Sequence, residues 1–174
     1  MIETQPLEFG IESTIISLLK DKPVLLRPGP ITTEKLREII PELTIDEDMS
    51  QAIAPGMKYR HYSPKAQVSL IPWQGDKEKI TERGIKMYQE LLQVYTPSTL
   101  ALICTEETKK AYVKWGINCI SLGSRADLYR VASNLFHALR QLDEDKIACA
   151  LIEGFEEKGL GITIMNRLKK TILK

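Results

Sequence analysis

From residue 66 onward the chain alternates short apolar runs with longer segments whose apolar residues recur every three or four positions. Gln67-Val68-Ser69-Leu70-Ile71-Pro72 predicts a strand, and 76–95 a helix with Ile80, Met87, Tyr88, Leu91, Leu92 and Tyr95 along one stripe. Gly84 falls on that stripe, where a missing side chain lets the helix approach the sheet closely. Thr99-Leu100-Ala101-Leu102-Ile103-Cys104 is almost continuously apolar, as expected of a strand buried on both faces of a parallel sheet. A short helix over 106–115 ends at Gly116, and 117–122 is the third strand. Ser124-Arg125-Ala126-Asp127 reads as an N-cap with an acidic residue three positions on. It opens a helix running to about residue 143, with Leu128, Val131, Leu135, Leu139 and Leu142 on one face. A fourth strand covers 147–152, and Gly159-Leu160-Gly161 opens the last helix. That helix turns Met165, Leu168 and Ile172 inward and places Arg167, Lys169, Lys170 and Lys174 toward its C-terminal end, where cations suit the helix dipole. Strands alternating with helices in this way predict right-handed crossovers: an α/β, Rossmann-like, doubly wound parallel sheet of about four strands flanked by helices.

The first 45 residues read differently. Strands over 12–19 and 23–27 are joined by a turn at Lys20-Asp21-Lys22, Pro28-Gly29-Pro30 breaks the second, and Thr32 caps a short helix that Pro41 ends. Two strands and a helix bury too little surface to stand alone. Either this piece docks on the second domain, or it pairs with something outside the chain. The organisation is therefore an incomplete α/β piece over 1–45, a linker over 46–65 and a complete domain over 66–174.

Composition changes this picture little. A net charge of +1 and a 43% hydrophobic, 27% charged make-up describe an ordinary globular chain with no electrostatic footprint for nucleic acid. No apolar run approaches the ~18 residues a membrane span needs, and Met1-Ile2-Glu3-Thr4-Gln5-Pro6 lacks the order of a signal peptide. Cys104, Cys119 and Cys149 each sit inside an apolar run without a C-x-x-C pair, as small hydrophobes in a reducing cytoplasm do. The expected location is cytoplasmic, and no residue is singled out as a metal ligand.

Four clusters carry candidate chemistry, each with a plainer reading beside it. Glu12-Ser13-Thr14 places hydroxyls at a strand start, where they orient a polar ligand or satisfy local backbone groups. In Leu26-Arg27-Pro28-Gly29 an arginine leaves a strand into a turn; its planar fork can clamp a phosphate or carboxylate, or it is an ordinary surface arginine. The linker string Ala54-Pro55-Gly56-Met57-Lys58-Tyr59-Arg60-His61-Tyr62-Ser63-Pro64 packs cations and phenols between prolines, whereas an inert connector is Gly/Ser-rich or acidic. Such groups recognise phosphate and purine, or serve as interdomain packing. Gly159 and Gly161 can cradle an anion at a helix start or simply allow tight packing, and the string lacks the full G-x-G-x-x-G. His137, on a helix flank, reads as structural.

Taken in order, Gly10-Ile11-Glu12-Ser13-Thr14-Ile15-Ile16, Leu26-Arg27-Pro28-Gly29, the 54–64 string, and Gly159-Leu160-Gly161 through Asn166-Arg167-Leu168 resemble L-threonylcarbamoyladenylate synthases of the long, two-domain type. The linker string is the most specific part. The resemblance implies an enzyme that joins L-threonine and bicarbonate as a carbamate, attacks the α-phosphate of ATP with Mg²⁺ present, and expels pyrophosphate. The product feeds threonylcarbamoyladenosine modification of tRNA. By motif matching, Ser13 holds L-threonine and Arg27 the ATP phosphates, while Tyr62 or its neighbours Tyr59, Arg60 and His61 reach over the nucleotide; no residue is assigned a catalytic role.

The same resemblance makes residues 1–45 the C-terminal remnant of a YrdC-like catalytic domain and 66–174 its accessory domain. Most of the catalytic pocket is then expected to be supplied from elsewhere, and the chain by itself is expected to form no adenylate. The strands of the remnant are expected to have unpaired edges, giving self-association or local disorder before Thr44. Two rival readings stand beside this one. The chain can be a regulatory or protein-binding module that gates a separate catalytic chain, or a free-standing small-molecule-binding domain with Gly159 and Gly161 at the ligand.

Overall fold

In the computed structural model, residues 10–19, 21–45 and 63–172 are described. The first part contains β1 (Ile15–Ser17), β2 (Val24–Arg27), α1 (Thr33–Ile39) and β3 (Thr44–Ile45). The second contains β4 (Gln67–Ile71), α2 (Lys77–Leu91), β5 (Leu100–Cys104), α3 (Glu106–Lys114), β6 (Cys119–Ser121), α4 (Leu128–Glu144), β7 (Cys149–Glu153) and α5 (Leu160–Ile172).

The apolar runs of the second part pair into a parallel four-stranded sheet in the order β4-β7-β5-β6. β5 and β7 occupy its centre and are buried at every position, which is why their sequences show no polar alternation. Leu100, Leu102 and Cys104 of β5 pack with Ile80, Tyr88 and Tyr112 of α2 and α3, while Ala101 and Ile103 meet Val131, Leu135 and Ile164 of α4 and α5. The two-residue period of the strand thus divides one apolar run between two cores. The chain moves from β4 to β5 and on to β6 with its helices on one face, then returns to β7 with α4 on the other. Right-handed crossovers require that switch of face when the direction of travel reverses.

Local chemistry departs from the sequence reading at two helices. Asp127, not Ser124, caps α4: its Oδ1 accepts from the Arg130 N–H at 3.0 Å, while the Ser124 hydroxyl donates to Glu107. Gly84 admits a side chain rather than the sheet. A Cβ there would meet the Tyr112 hydroxyl at 2.5 Å, so the glycine makes room for the tyrosine that α3 lays across α2.

The first part forms a small mixed sheet, β1-β2-β3, with β1 antiparallel and β3 parallel to β2. The strand expected over 12–19 shortens to Ile15–Ser17, because Glu12, Ser13 and Thr14 leave the ladder for other partners. β3 has two residues, too few to leave a periodic signal. The piece docks on the second part of the chain, one of the two fates the sequence left open. Ile11 packs against the α4–α5 core, the Thr163 hydroxyl donates to Gly29 O at 2.9 Å, and the Tyr129 hydroxyl donates to Pro30 O at 3.3 Å. Arg167 does not join the cations at the helix surface: it is 6% exposed and faces the docked piece.

Candidate functional site

Arg27 ends β2 opposite Ile15, and that register aims its guanidinium along the Glu12-Ser13-Thr14 string. Nε donates to Ser13 O at 2.9 Å and Nη2 to Ser13 Oγ at 3.0 Å. The serine oxygen is the acceptor, so its own proton remains available to a ligand, and Ser13 itself is exposed. Arg27 is 8% exposed. Two of its five donors are engaged on Ser13, and the fork is held in one orientation.

The turn after Arg27 locks the two strings together. A Cβ on Gly29 would lie 2.3 Å from Thr14 N and 2.6 Å from Ser13 C, so only glycine lets the turn lie against that backbone. Thr14 Oγ1 accepts from the Ile31 N–H and donates to Ile31 O, both at 3.1 Å. The structure therefore brings Ser13 and Arg27 into one site. Tyr59, Arg60, His61 and Tyr62 lie outside the described residues.

Behind this pair stands an ion pair made by α5. Arg167 Nε meets Glu12 Oε2 at 2.6 Å, and its Nη2 donates to Pro28 O at 3.2 Å. Burial opposes ionisation of Glu12, but the Arg167 guanidinium and local hydrogen bonds outweigh it and hold the carboxyl below its usual range. Burial lowers the Arg167 pKa, a fall that Glu12 opposes. Burial lowers Lys170, one turn further on, as do the charges of Arg167 and Arg27. Arg27, Arg167 and Lys170 thus share the single carboxylate Glu12 among these interacting groups, leaving a positive field suited to an anion.

A second concavity of about 540 Å³ opens at the carboxyl ends of β4 and β7, lined by Thr32, Lys35, Trp73, Arg125, Phe155 and Leu160 among others. Arg125 lies between the Trp73 and Phe155 rings, 4.3 and 4.6 Å from their centroids, and donates through Nη2 to the fully buried Glu153 at 2.9 Å. Glu153 also accepts from Thr105 N at 3.1 Å, Thr105 Oγ1 at 3.0 Å and the Tyr112 hydroxyl at 3.0 Å. Sequence reasoning passed over both charged partners: Arg125 sat inside a capping string, and Glu153 followed an apolar run. A carboxylate closing such a run was the available signal. Gly161 serves packing, since a Cβ there would fall 1.9 Å from Glu156 O. The Gly159 N–H donates to Glu34 Oε1 at 3.2 Å, so a carboxylate of the chain itself occupies that helix start.

Residues 31–171 match the family model described as "Threonylcarbamoyl-AMP synthase, C-terminal domain". The chain belongs to this family. It is 37% identical over 176 residues to the threonylcarbamoyl-AMP synthase of Bacillus subtilis, covering 98% of the chain and 47% of that protein. The threonylcarbamoyl-AMP synthase of Pyrococcus abyssi is 37% identical over 172 residues, covering 92% of the chain and 45% of that protein. Among solved structures, Pyrococcus abyssi Sua5 complexed with L-threonine superposes with a TM-score of 0.71 at 34% identity, covering 95% of the chain and 46% of that chain. A second structure of the same protein, with adjacent histidine and tyrosine residues replaced by alanine, gives 0.70 at 34% identity over the same shares. The chain spans about half the length of the curated relatives it matches.

Proposed function

We propose that this chain supplies part of the substrate site of an enzyme forming threonylcarbamoyl-AMP and pyrophosphate from L-threonine, bicarbonate and ATP, for threonylcarbamoyladenosine modification of tRNA. The observation that carries the reading is the Ser13–Arg27 clamp, an oriented hydroxyl beside a buried guanidinium, in a chain of the threonylcarbamoyl-AMP synthase family. A relative at 34% identity has been solved with L-threonine bound. Ser13 donates to polar atoms of L-threonine, and Arg27 faces the phosphates of ATP. The reaction gathers carbamate, carboxylate and triphosphate charges in one place. Fixed cations and prepositioned donors lower its barrier by orienting the reactants and stabilising the charge that develops on the phosphates.

Tyr59, Arg60, His61 and Tyr62 are assigned to the nucleotide. His61-Tyr62 is the one His-Tyr dipeptide of the chain, and an adjacent histidine and tyrosine were the residues exchanged in the Pyrococcus abyssi variant. Mg²⁺ accompanies ATP as part of the substrate. Among the described residues no group of three His, Cys, Asp or Glu side chains is placed to hold a metal ion, and Glu12 is engaged by Arg167. ATP phosphates are the oxygen donors such an ion ordinarily takes.

The test is pyrophosphate release from ATP by this chain mixed with the upstream half of the Bacillus subtilis relative. Release that depends on both L-threonine and bicarbonate supports the reading, with Ser13→Ala raising KM for L-threonine and Arg27→Ala raising KM for ATP. A folded complex showing no response to L-threonine, or indifferent to both substitutions, refutes it.

A further inference from the structure

We propose that α5 is part of the substrate site in its working, with Arg167 as a positioning residue that sets the Ser13–Arg27 geometry through Glu12 and Pro28. The proposal rests on the reading of Ser13 and Arg27 as substrate contacts. Glu12 immediately precedes Ser13, and Pro28 immediately follows Arg27. One guanidinium holds both neighbours: Nε on Glu12 Oε2 at 2.6 Å and Nη2 on Pro28 O at 3.2 Å, with Nη1 braced on Asn166 Oδ1 at 2.8 Å. One turn earlier, Thr163, 1% exposed, fixes Gly29 O at 2.9 Å.

Adhesion alone does not account for these residues. The helix presents apolar side chains beside them, Ile164, Met165 and Leu168 all being buried, and more of the same would hold the pieces together. Instead Arg167 is buried within the influence of two like charges, Arg27 and Lys170. The pair is buried on the Arg167 side only, Glu12 being 36% exposed, so it adds little stability, while the planar fork of the buried guanidinium tolerates few orientations. Placing that fork between the residues flanking Ser13 and Arg27 fixes their separation from the far side of the site.

The variants Arg167→Met, which keeps length and loses the donors, and Arg167→Lys, which keeps charge and loses the fork, test this. In the chain itself, amide hydrogen exchange in Ile15–Ser17 and Val24–Arg27 should accelerate at least about tenfold in Arg167→Met while β5 and β7 stay protected. Unchanged exchange there, or equal loosening of β5 and β7, overturns the proposal. In the mixed pyrophosphate assay, KM for L-threonine should rise and kcat/KM should fall by up to about 100-fold, the scale of a small misplacement of reacting groups, with Arg167→Lys intermediate. A purely structural role would lower the amount of active enzyme and leave KM alone, and an unchanged KM overturns the proposal even where exchange accelerates. If the unsubstituted mixture is inactive, the substrate reading has failed, and the exchange measurement still decides whether Arg167 positions the two strings.

Discussion

Replacing Glu153 by glutamine should destabilise the second domain far more than its single-atom change suggests. Glu153 is fully buried, and its Oε2 accepts from Thr105 N, Thr105 Oγ1 and Arg125 Nη2 at 2.9–3.1 Å while Oε1 accepts from Tyr112. A glutamine carbonyl can keep the Oε2 partners, and its amide can donate to the Tyr112 hydroxyl, which still reaches Ile80 O at 3.2 Å. The hydrogen bonds therefore largely survive, and what is lost is the charge opposite Arg125. That guanidinium is 15% exposed and already short of one partner, Nε having none among the described residues. Breaking one side of a buried pair costs about 3–5 kcal/mol, and the surviving bonds favour the lower end. For a chain of 174 residues, about 3 kcal/mol corresponds to a fall in Tm of roughly 6–12 °C. Calorimetry at neutral pH measures it directly. The double variant Glu153→Gln with Arg125→Met, which removes both charges and keeps the acceptor that Thr105 uses, should recover most of the loss. A fall below about 2 °C for Glu153→Gln, or a double variant worse than the single one, would refute the account of Glu153 as the counter-charge of Arg125.

Gly84→Ala should lower stability by about 1–3 kcal/mol despite the better helix propensity of alanine, because the new Cβ falls 2.5 Å from the Tyr112 hydroxyl; urea unfolding with an unchanged m-value checks it. Gly29→Ala, with its Cβ 2.3 Å from Thr14 N, should part the Ser13 and Arg27 strings, read as faster amide exchange in Val24–Arg27 with the main sheet intact. The Glu12 pKa is lower in the folded state, so its contribution is fully present above the ordinary value of 4.5 and is lost as pH falls through the folded value. Acid titration of stability should show that loss, and Arg167→Met should shrink it. Among the described residues β1 is an edge strand, followed by Leu18 and Leu19, which are 72% and 96% exposed, so light scattering should show association that grows with concentration and falls in Leu19→Lys.

Much of the second domain was legible because its strands and helices carry uninterrupted periods: β5 and β7 are apolar throughout, and α4 buries the face that runs from Val131 to Leu142. The site was legible only where its residues lie close in sequence to a break. Pro28-Gly29 drew notice to Arg27 and the neighbouring hydroxyl to Ser13, but local chemistry left a plainer reading for each, and only the family resemblance assigned them roles. Arg167 gave no such sign. A cation near a helix C-terminus has an adequate local explanation, and its partner Glu12 lies 155 residues away. Glu153 was hidden the other way, its burial secured by Arg125, Thr105 and Tyr112 from three separate segments. Pairings of that kind depend on the crossovers having already formed, and no window of local sequence contains them.

The positive field beside Ser13 is likewise a property of the joined pieces. Arg27 comes from β2, and Arg167 and Lys170 come from α5, so docking brings like charges together at an electrostatic cost. Glu12, the Thr163–Gly29 bond and the packing of Ile11 offset that cost. An anion seated beside Arg27 relieves the same repulsion, and linkage then requires that ligand binding and docking favour each other by equal amounts. On the proposals made above, removing α5 does not merely strip a neighbouring segment from the Ser13 and Arg27 strings. It removes both the clamp proposed to fix Ser13 against Arg27 and part of the charge proposed to attract an anionic substrate.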